Sequence, residues 1–424
     1  MKRHRLIALA LVAWLALGPA LSAWAQSGGE SIGGVLRNQD GRPVAGVTLS
    51  VKQHGATIAS GTTGPDGSWQ IPVPGPGLYA VTIDTSTLPK GVRLTDPSRK
   101  TLSDVTVQPG QSKIVLFPLG KSTSHRPSRI SSLINLTIDG LKLGSVVALA
   151  SVGLSLIFGV TGLVNFAHGE LVTFGAVVAF FFSTSAAGPR WGLVVAALAA
   201  VIVGGLFGGG LELGLWRPLR RRRAGNVSLI VVAIGLSLLV RHLILLILKG
   251  APRQYREFTI QHPWRLGGVS VLPKDAFIIV ASLVVLVLVG VLLQRTRLGT
   301  AMRAVADDKD LAESSGIDVD RVILATWIGG AGLAALGGVF YGITQSIVWD
   351  MGFTLLLTMF AAVILGGLGS AYGAMAGGLV IGIASEVSTY WLPVEFKEVV
   401  SLTVLIVVLL FRPQGILGVR ERLG

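Results

Sequence analysis

The sequence predicts a multi-span α-helical membrane protein, with eight or nine transmembrane helices, preceded by a small all-β sandwich. Three observations carry this prediction. Of the 424 residues, 51% are hydrophobic and only 14% are charged, against about 25% charged in an average soluble domain. Long apolar runs follow one another after Ile130. Before Gly120, short segments instead alternate apolar and polar residues between turn-forming residues.

The first 25 residues have the features of a secretory signal peptide. MKRHR supplies a positive start, LIALALVAWLAL a short apolar run, and Ala23-Trp24-Ala25 a small-x-small site. This pattern is typical of a peptide that is cleaved after the last small residue. The alternative is an uncleaved anchor. In either case the β domain that follows is expected to be extracytoplasmic.

Residues 31–120 are predicted to form that β domain. VTLSVKQ, GSWQIPV and LYAVTID alternate as half-buried strands do, and QDGRP, GPDG and LPKG separate them as turns. GGVLRNQDGRPVAGVTLSV followed by TTGPDGSWQI resembles the carboxypeptidase regulatory-like β-sandwich family. The resemblance implies a spacer or adhesion module without catalytic residues. Asp40, Asp66 and Asp84 are interpreted as turn residues in preference to calcium ligands.

A polar linker, 121–130, leads into the predicted transmembrane domain, 131–424. Its apolar runs approach the roughly 20 residues needed to cross about 30 Å of hydrocarbon. The predicted spans lie near 138–160, 168–187, 191–213, 226–248, 274–293, 321–343, 353–367, 372–391 and 397–411. The two spans that flank GGLGSAYG (366–373) could instead be one broken element, which would leave eight.

The basic residues favour nine spans and a cytoplasmic C-terminus. Counting from an external Ile130 places RPLRRRR (217–223), the loop 294–320 and the C-terminal arginines inside the cell, as the positive-inside rule requires. One predicted external loop, 249–273, is also basic and disagrees. These short basic loops account for the formal net charge of +14, so nucleic-acid binding is not expected.

Several kinds of chemistry are excluded by what the sequence lacks. Without cysteine it has no disulfide, thiolate metal site or cysteine nucleophile. LGKS (119–122) is not a phosphate-binding loop, because Val115 stands where such a loop needs its first glycine. No nucleotide site, cofactor, metal site or catalytic residue is therefore expected.

GVTGLVNFAHGELVTFGAV (159–177) places an imidazole and a carboxylate two residues apart in an apolar region. On a helix His168 and Glu170 would point to different faces, which argues against a shared metal ion. A proton relay is one alternative, since ionisable residues inside membranes are usually functional. The preferred interpretation places both at the cytoplasmic end of the first span, with Glu170 in the first turn of the next helix.

Five segments resemble, in order and spacing, the permease subunits of ABC importers for branched-chain amino acids, a family that includes amide and urea importers. The segments are GLSLIFGVTGLVNFAHGELVTFGA, WRPLRRRRAGNVSLIVVAIGLSLLV, RTRLGTAMRAVADDKDLAESSGIDVDRV, AAVILGGLGSAYGAMAGGLVIG and FRPQGILG. The resemblance covers roughly 133–419. It implies a second homologous permease, two ATPase subunits and an extracytoplasmic substrate-binding protein as partners in a cell membrane. It also implies that the Asn-Phe-Ala-His-Gly-Glu stretch takes part in the moving core of the permease. The residues assigned to the substrate pathway or its gate are Asn165, His168, Glu170 and Arg241.

The segment 295–320 is longer than a turn between spans requires. Its mixture of apolar and charged residues predicts an amphipathic helix that docks in a groove on a partner, which the resemblance implies is an ATPase. DLAESSG (310–316) matches the family's alanine-glycine coupling motif, with departures at its first and second positions. The alternative is a solvated charged loop. The residues assigned to ATPase coupling are Arg303, Asp307, Asp310, Ala312 and Gly316.

Arg241 and His242 lie within the fourth predicted span, towards its outer end. The preferred interpretation is that Arg241 extends its side chain to the membrane interface. The alternative places it in an outer vestibule that would attract a substrate carboxylate.

Two other classes of protein stay open beside the ATP-driven permease. An ion-coupled transporter would use mid-membrane carboxylates, for which Glu170 and Glu386 are candidates. A membrane-anchored adhesion or sensor protein would act through the β domain. Within the permease class, urea and short amides remain alternative substrates.

Overall fold

The structure is a computed structural model that describes residues 30–38, 42–53, 55–75, 77–89, 91–95, 100–107, 112–119, 129–185, 188–248, 250, 252–255, 257, 263–266, 269–412 and 414–417. The predicted signal peptide, Asp40 and nearly all of the predicted linker lie outside these residues. The chain falls into two compact units, one ending at residue 126 and the other beginning at residue 127.

The N-terminal unit contains seven described strands in two sheets. One sheet has the order β4-β1-β7 and the other β3-β2-β5-β6. The strands are β1 (Ser31–Val35), β2 (Thr48–Gln53), β3 (Ala56–Thr62), β4 (Ser68–Pro72), β5 (Gly77–Ile83), β6 (Thr101–Val107) and β7 (Ser112–Ile114). All of the described pairs are antiparallel except β1 with β7, which is parallel.

One hydrophobic cluster fills the N-terminal unit, and residues from both sheets contribute to it. Ile32 pairs with Ile71 in the first sheet, Val51 pairs with Val81 in the second, and all four are buried. In β2, β4 and β5 buried residues alternate with more exposed ones, which confirms the predicted period of two for these strands. The small sheet domain expected from the sequence is therefore present.

Two of the three aspartates considered as calcium ligands lie in turns. The Asp66 carboxylate accepts hydrogen bonds from the Ser68 amide at 3.0 Å and the Ser68 hydroxyl at 2.6 Å, and Asp84 does the same with Ser86. These bonds stabilise the charged form and lower the pKa of both carboxyls. The turn interpretation is confirmed at these two positions.

The second unit is helical. Its helices are α1 (Arg129–Thr161), α2 (His168–Ser183), α3 (Leu193–Leu211), α4 (Arg217–Arg221), α5 (Asn226–Leu248), α6 (Pro273–Arg295), α7 (Arg297–Asp307), α8 (Lys309–Ser314), α9 (Val319–Thr344), α10 (Met351–Gly366), α11 (Ala371–Ser388) and α12 (Lys397–Phe411). A π-helical turn, Glu212–Trp216, joins α3 to α4. A short hairpin, β8 (Trp264–Leu266) and β9 (Val269–Val271), precedes α6.

Each of the nine predicted spans coincides with an apolar helix among the described residues. Six helices are long and apolar enough to cross a membrane alone, whereas α2 and α10 are shorter apolar helices of 16 residues each. At 1.5 Å per residue, 16 residues extend only about 24 Å. The prediction of a multi-span helical membrane protein is therefore confirmed, although α2, α10 and the 15-residue α12 are shorter than a bilayer core.

The α10–α11 pair resolves the uncertainty around GGLGSAYG. A Cβ on Gly366 would meet the backbone of Gly373, and one on Gly377 would meet that of Ala362. These contacts run in opposite directions along the two helices, so α10 and α11 form an antiparallel hairpin. Gly367 and Gly369 make the turn with φ of 109° and 80°, which favours glycine. The interpretation as one broken element is wrong.

Glycine also sets the approach of the inner helices. A Cβ on Gly153 of α1 would lie 2.3 Å from the Gly330 carbonyl oxygen of α9, and one on Gly208 of α3 would lie 2.2 Å from the Ala331 side chain. Helices in lipid lack a hydrophobic drive to associate, so close backbone contact provides much of their packing. The small-residue stretches are helix interfaces, as the sequence predicted.

Candidate functional site

The site begins where α2 starts, which is beside the middle of α1. The His168 Nε2 atom lies 3.0 Å from the Ala150 carbonyl oxygen, eleven residues before α1 ends at Thr161. Eleven residues correspond to about 16 Å along a helix. The expectation that His168 and Glu170 lie at the end of the first span is therefore wrong. The loop 162–167 folds back along α1 before α2 begins.

Two hydrogen bonds accepted by Asn165 hold this folded-back loop. The Asn165 side-chain oxygen accepts a hydrogen bond from the Ala167 amide at 3.0 Å, and the Asn165 carbonyl accepts one from the His168 amide at 3.1 Å. Asn165 and His168 are almost completely buried. Because Asn165 satisfies amides at the start of α2, it fixes the direction in which that helix leaves the loop.

Glu170 lies in the first turn of α2, as predicted, and forms a buried ion pair with Arg241 of α5. The Glu170 Oε1 atom accepts from Arg241 Nε at 3.1 Å and from the Ser237 hydroxyl at 2.9 Å. Arg241 Nη2 also donates to Ser237 at 3.0 Å. Glu170 is 1% exposed and Arg241 9%. The interpretation that Arg241 extends to the membrane interface is wrong, because its guanidinium is paired inside the helical unit.

An aromatic ring completes this cluster. The Arg241 guanidinium carbon lies 3.7 Å from the ring centroid of Phe353, near the start of α10. A cation stacked on an aromatic face is attracted by the negative ring surface. We call Glu170, Ser237, Arg241 and Phe353 the α2–α5–α10 cluster. It joins α2 and α10 to α5.

The N-terminal turns of α2 and α10 also pack directly against each other. A Cβ on Gly352 would lie 1.8 Å from the Gly169 carbonyl oxygen, and one on Gly169 would lie 2.4 Å from that of Gly352. The Gly352 amide donates to the Thr173 hydroxyl at 3.0 Å. The positions of these two helices are therefore coupled by backbone contact.

The first turn of α2 holds two buried polar atoms without hydrogen-bond partners. Among the described residues, Glu170 Oε2 and His168 Nδ1 are buried and make no hydrogen bond. His168 and Glu170 point to different partners, one to α1 and the other to α5, as the two-residue spacing predicts. The cluster can hold a charged pair away from solvent, and a competing carboxylate or cation could break it.

A second set of predicted residues lies on α7 and α8. Gly299, Met302 and Val305 on α7, together with Ala312 on α8, are buried within the core of the helical unit. The predicted amphipathic helix is present, but its apolar face packs against its own bundle. This apolar face is therefore not the surface that is free to meet a partner. Docking of the segment on an ATPase stays a prediction.

The opposite side of this segment is exposed. Arg303, Asp307 and Asp310 are exposed, and Leu311 is 65% exposed. Gly316, two residues after the end of α8, has a φ of 87°, a left-handed conformation that glycine adopts without strain. The motif positions Ala312 and Gly316 thus have structural roles that differ, one in packing and one in the turn.

Ion pairs join the basic segment 217–223 to Asp320 at the start of α9 and to Glu212 in the π-helical turn. Arg217 and Arg221 both contact the Asp320 carboxylate, Arg221 at 3.0 Å. Arg220 pairs with Glu212, which is 1% exposed, through both carboxylate oxygens. Sequence reasoning assigned no role to Glu212 or Asp320. The positions of Glu212 and Asp320 relative to the arginines form no sequence pattern that predicts these ion pairs.

Glu386, the other carboxylate considered for ion coupling, pairs with Lys397 at 2.7 Å at the end of α11. Sequence reasoning also missed Ser237 and Phe353. Ser237 could have been found, since it precedes Arg241 by four residues and shares its helix face. Nothing in the sequence near Phe353 indicates its contact with Arg241.

Comparisons with known proteins agree with this architecture. Residues 136–409 match the family described as branched-chain amino acid transport system / permease component. No solved structure matches this chain.

Curated relatives cover the same part of the chain. The high-affinity branched-chain amino acid transport system permease protein LivH of Escherichia coli (strain K12) is 33% identical over 294 residues, which are 66% of this chain and 94% of LivH. BraD of Pseudomonas aeruginosa is 34% identical, with the same coverage. LivM of E. coli K12 is 25% identical, over 66% of this chain and 70% of LivM.

The apolar helices of the described residues define a multi-pass membrane protein, and the family and relatives that it matches are transport permeases and not enzymes. The chain belongs to the permease-component family of branched-chain amino acid transport systems. This confirms the family prediction for the membrane part.

Proposed function

We propose that this chain forms half of the transmembrane pathway of an ABC importer for branched-chain amino acids. The proposal rests on the family match across 136–409, which spans nearly the whole helical unit. Its partners would be a second homologous permease, two ATPase subunits and an extracytoplasmic substrate-binding protein. The chain itself would hydrolyse no ATP.

We assign the gate of this pathway to Asn165, His168, Glu170 and Arg241. Support comes from the α2–α5–α10 cluster, in which a buried charge pair joins three helices. A zwitterionic substrate carries both a carboxylate and an ammonium group. Either group could exchange with its counterpart in the Glu170–Arg241 pair, which would release α5 from α2.

We assign ATPase coupling to the segment 295–320. Its support is an exposed side rich in charge, carried on helices whose other side is anchored in the bundle. An anchored helix transmits a displacement to the bundle, whereas a solvated loop would absorb it. The residues assigned here are Arg303, Asp307, Asp310, Ala312 and Gly316.

The β unit is proposed to lie outside the cytoplasm and the segment 217–223 inside. Because the chain has no cysteine, single cysteines can report on this topology. Ser86→Cys, in an exposed turn of the β unit, should react with a membrane-impermeant maleimide on intact cells. Arg222→Cys, which is exposed within 217–223, should react only after the cells are opened. The reverse pattern would contradict the orientation.

Transport itself is tested with the purified complex in proteoliposomes. We expect ATP-dependent accumulation of labelled leucine, isoleucine and valine when the binding protein is present, and none without the ATPase subunits. Accumulation driven by an ion gradient alone would favour an ion-coupled transporter. Accumulation of urea or acetamide in place of leucine would overturn the substrate assignment.

A further inference from the structure

A lysine of α8 reaches the end of α1. The Lys309 ammonium donates a hydrogen bond to the Thr161 carbonyl oxygen at 3.2 Å, although the two residues are 148 positions apart. Thr161 is the last residue of α1, and Gly162 follows it with a φ of 70°. The last carbonyls of a helix lack helical partners and carry partial negative charge. A cation is well suited to this position.

The surroundings of Lys309 are otherwise unfavourable for a charge. Its side chain is half-buried, and burial lowers the pKa of its ammonium group, with a further contribution from the Arg220 guanidinium. Asp310 acts in the opposite direction. A lysine at the start of an exposed helix could instead extend into water. Because the ammonium group stays in this unfavourable environment, we interpret its hydrogen bond to the end of α1 as a specific contact.

The backbone of Lys309 is held firmly within α8. The Asp308 carboxylate caps α8 by accepting from the amides of Asp310 and Leu311, each at 2.9 Å. Three residues after Lys309, Ala312 is buried in the core. A displacement of α8 would therefore move Lys309 with it.

The other end of the contact leads directly to the gate. Glu170 lies nine positions after Thr161 in the sequence. The loop between them is held by Asn165 and by the His168 contact with Ala150. A shift at Thr161 would be passed along this loop to the first turn of α2, where Glu170 meets Arg241.

We propose that Lys309 is a positioning residue that couples movement of α8 to the end of α1, and through the loop 162–167 to the Glu170–Arg241 pair. This inference rests on the proposed function and adds to it the physical connection between motor and gate. Lys309 touches neither substrate nor nucleotide. Its role is to make α1 follow α8.

The test compares three variants in the reconstituted complex, measuring leucine uptake and ATP hydrolysis in the same proteoliposomes. Lys309→Met keeps the length of the side chain and removes the charge. Lys309→Arg keeps the charge. Arg321→Met is the matched control, since it removes a cation that directly follows the segment 295–320 and is 87% exposed.

For Lys309→Met we expect uptake per ATP hydrolysed to fall about tenfold, which is the scale of one charge-assisted hydrogen bond. ATP hydrolysis itself should stay within about twofold of wild type, because the exposed side of α7 and α8 is unchanged. Lys309→Arg should recover most of the coupling, and Arg321→Met should match wild type. A purely structural role would lower uptake and hydrolysis together.

Unchanged uptake per ATP in Lys309→Met would overturn the inference, and so would a parallel loss of uptake and hydrolysis. Assembly is checked by copurification of the ATPase subunits. If Lys309→Met does not assemble, Lys309→Leu, which also removes the charge and the donor, is measured in its place against the same expectations. Failure of the proposed function appears separately, as wild-type proteoliposomes that accumulate no leucine with ATP.

Discussion

The inner helices α1 and α9 differ sharply from the outer helices α5 and α6. In α1 and α9, 78% and 67% of the apolar stretch is buried within the unit, against 28% in α5 and 22% in α6. Yet the outer pair is the more hydrophobic. The inner helices carry glycine and hydroxyl residues at their contacts, such as Gly153, Gly330 and Ser151.

This relation between hydropathy and burial is the reverse of that in a soluble protein, where the most apolar surfaces are the most buried. In a bilayer the lipid chains solvate large apolar side chains as well as a protein core does. Burial within the protein then depends on how closely backbones approach. The outer helix α5 is joined to the bundle partly by polar contacts, through Ser237 and Arg241.

The largest expected effect is from a glycine substitution that separates α1 from α9. Gly153→Leu should destabilise the helical unit by more than about 4 kcal/mol, because the added side chain has no room beside Gly330. Gly235→Leu in α5 should be close to neutral, since a Cβ there meets nothing within 4 Å. Thermal unfolding of both variants in the same detergent measures the difference. Equal stability losses would contradict the division into inner and outer helices.

A smaller effect is expected when α5 loses its charged contact. Arg241→Met leaves Glu170 buried without its partner, which should cost about 3 kcal/mol. Glu170→Gln together with Arg241→Met should recover part of this loss, because no unpaired charge then remains. Limited proteolysis of α5 and thermal unfolding provide the measurement. A double variant as unstable as Arg241→Met would show that charge burial is not the cause.

The smallest expected effect compares two valines. Val147 in α1 is fully buried and Val231 in α5 is 62% exposed. Val147→Ala should lose about 2 kcal/mol by leaving a cavity, whereas Val231→Ala should change stability by less than about 0.5 kcal/mol. Lipid can fill the space at Val231 but not at Val147. A comparable loss at both sites would mean that another subunit covers α5, which would refine the assignment of its face.

The sequence was a good guide to the elements of this protein. Hydrophobic runs placed nine apolar helices, and alternation placed the main strands, because both patterns follow from local periodicity. The small residues at 366–377 were correctly read as an interface. The hydrophobic runs could not show where along its neighbours each helix begins. The first residue of α2, His168, contacts Ala150, which lies eleven residues before the end of α1.

The candidate site was predicted only in part. Glu170 and Arg241 were both singled out, yet they were assigned to opposite ends of the membrane. Counting residues along each span gives depth only if every helix crosses fully, and the loop 162–167 breaks that assumption. The apolar face of α7 was likewise visible in the sequence, but its partner was not, since any apolar surface could cover it.

The sequence by itself determined the class of this protein, its division into a strand-rich and a helical part, and its family, because composition and motif order are local properties of the chain. Only the tertiary structure decided that Glu170 meets Arg241, that Lys309 reaches Thr161, and that α7 packs inward. These contacts join residues that are 71 and 148 positions apart or lie on different helices, and they depend on how the helices pack together, which no local pattern records.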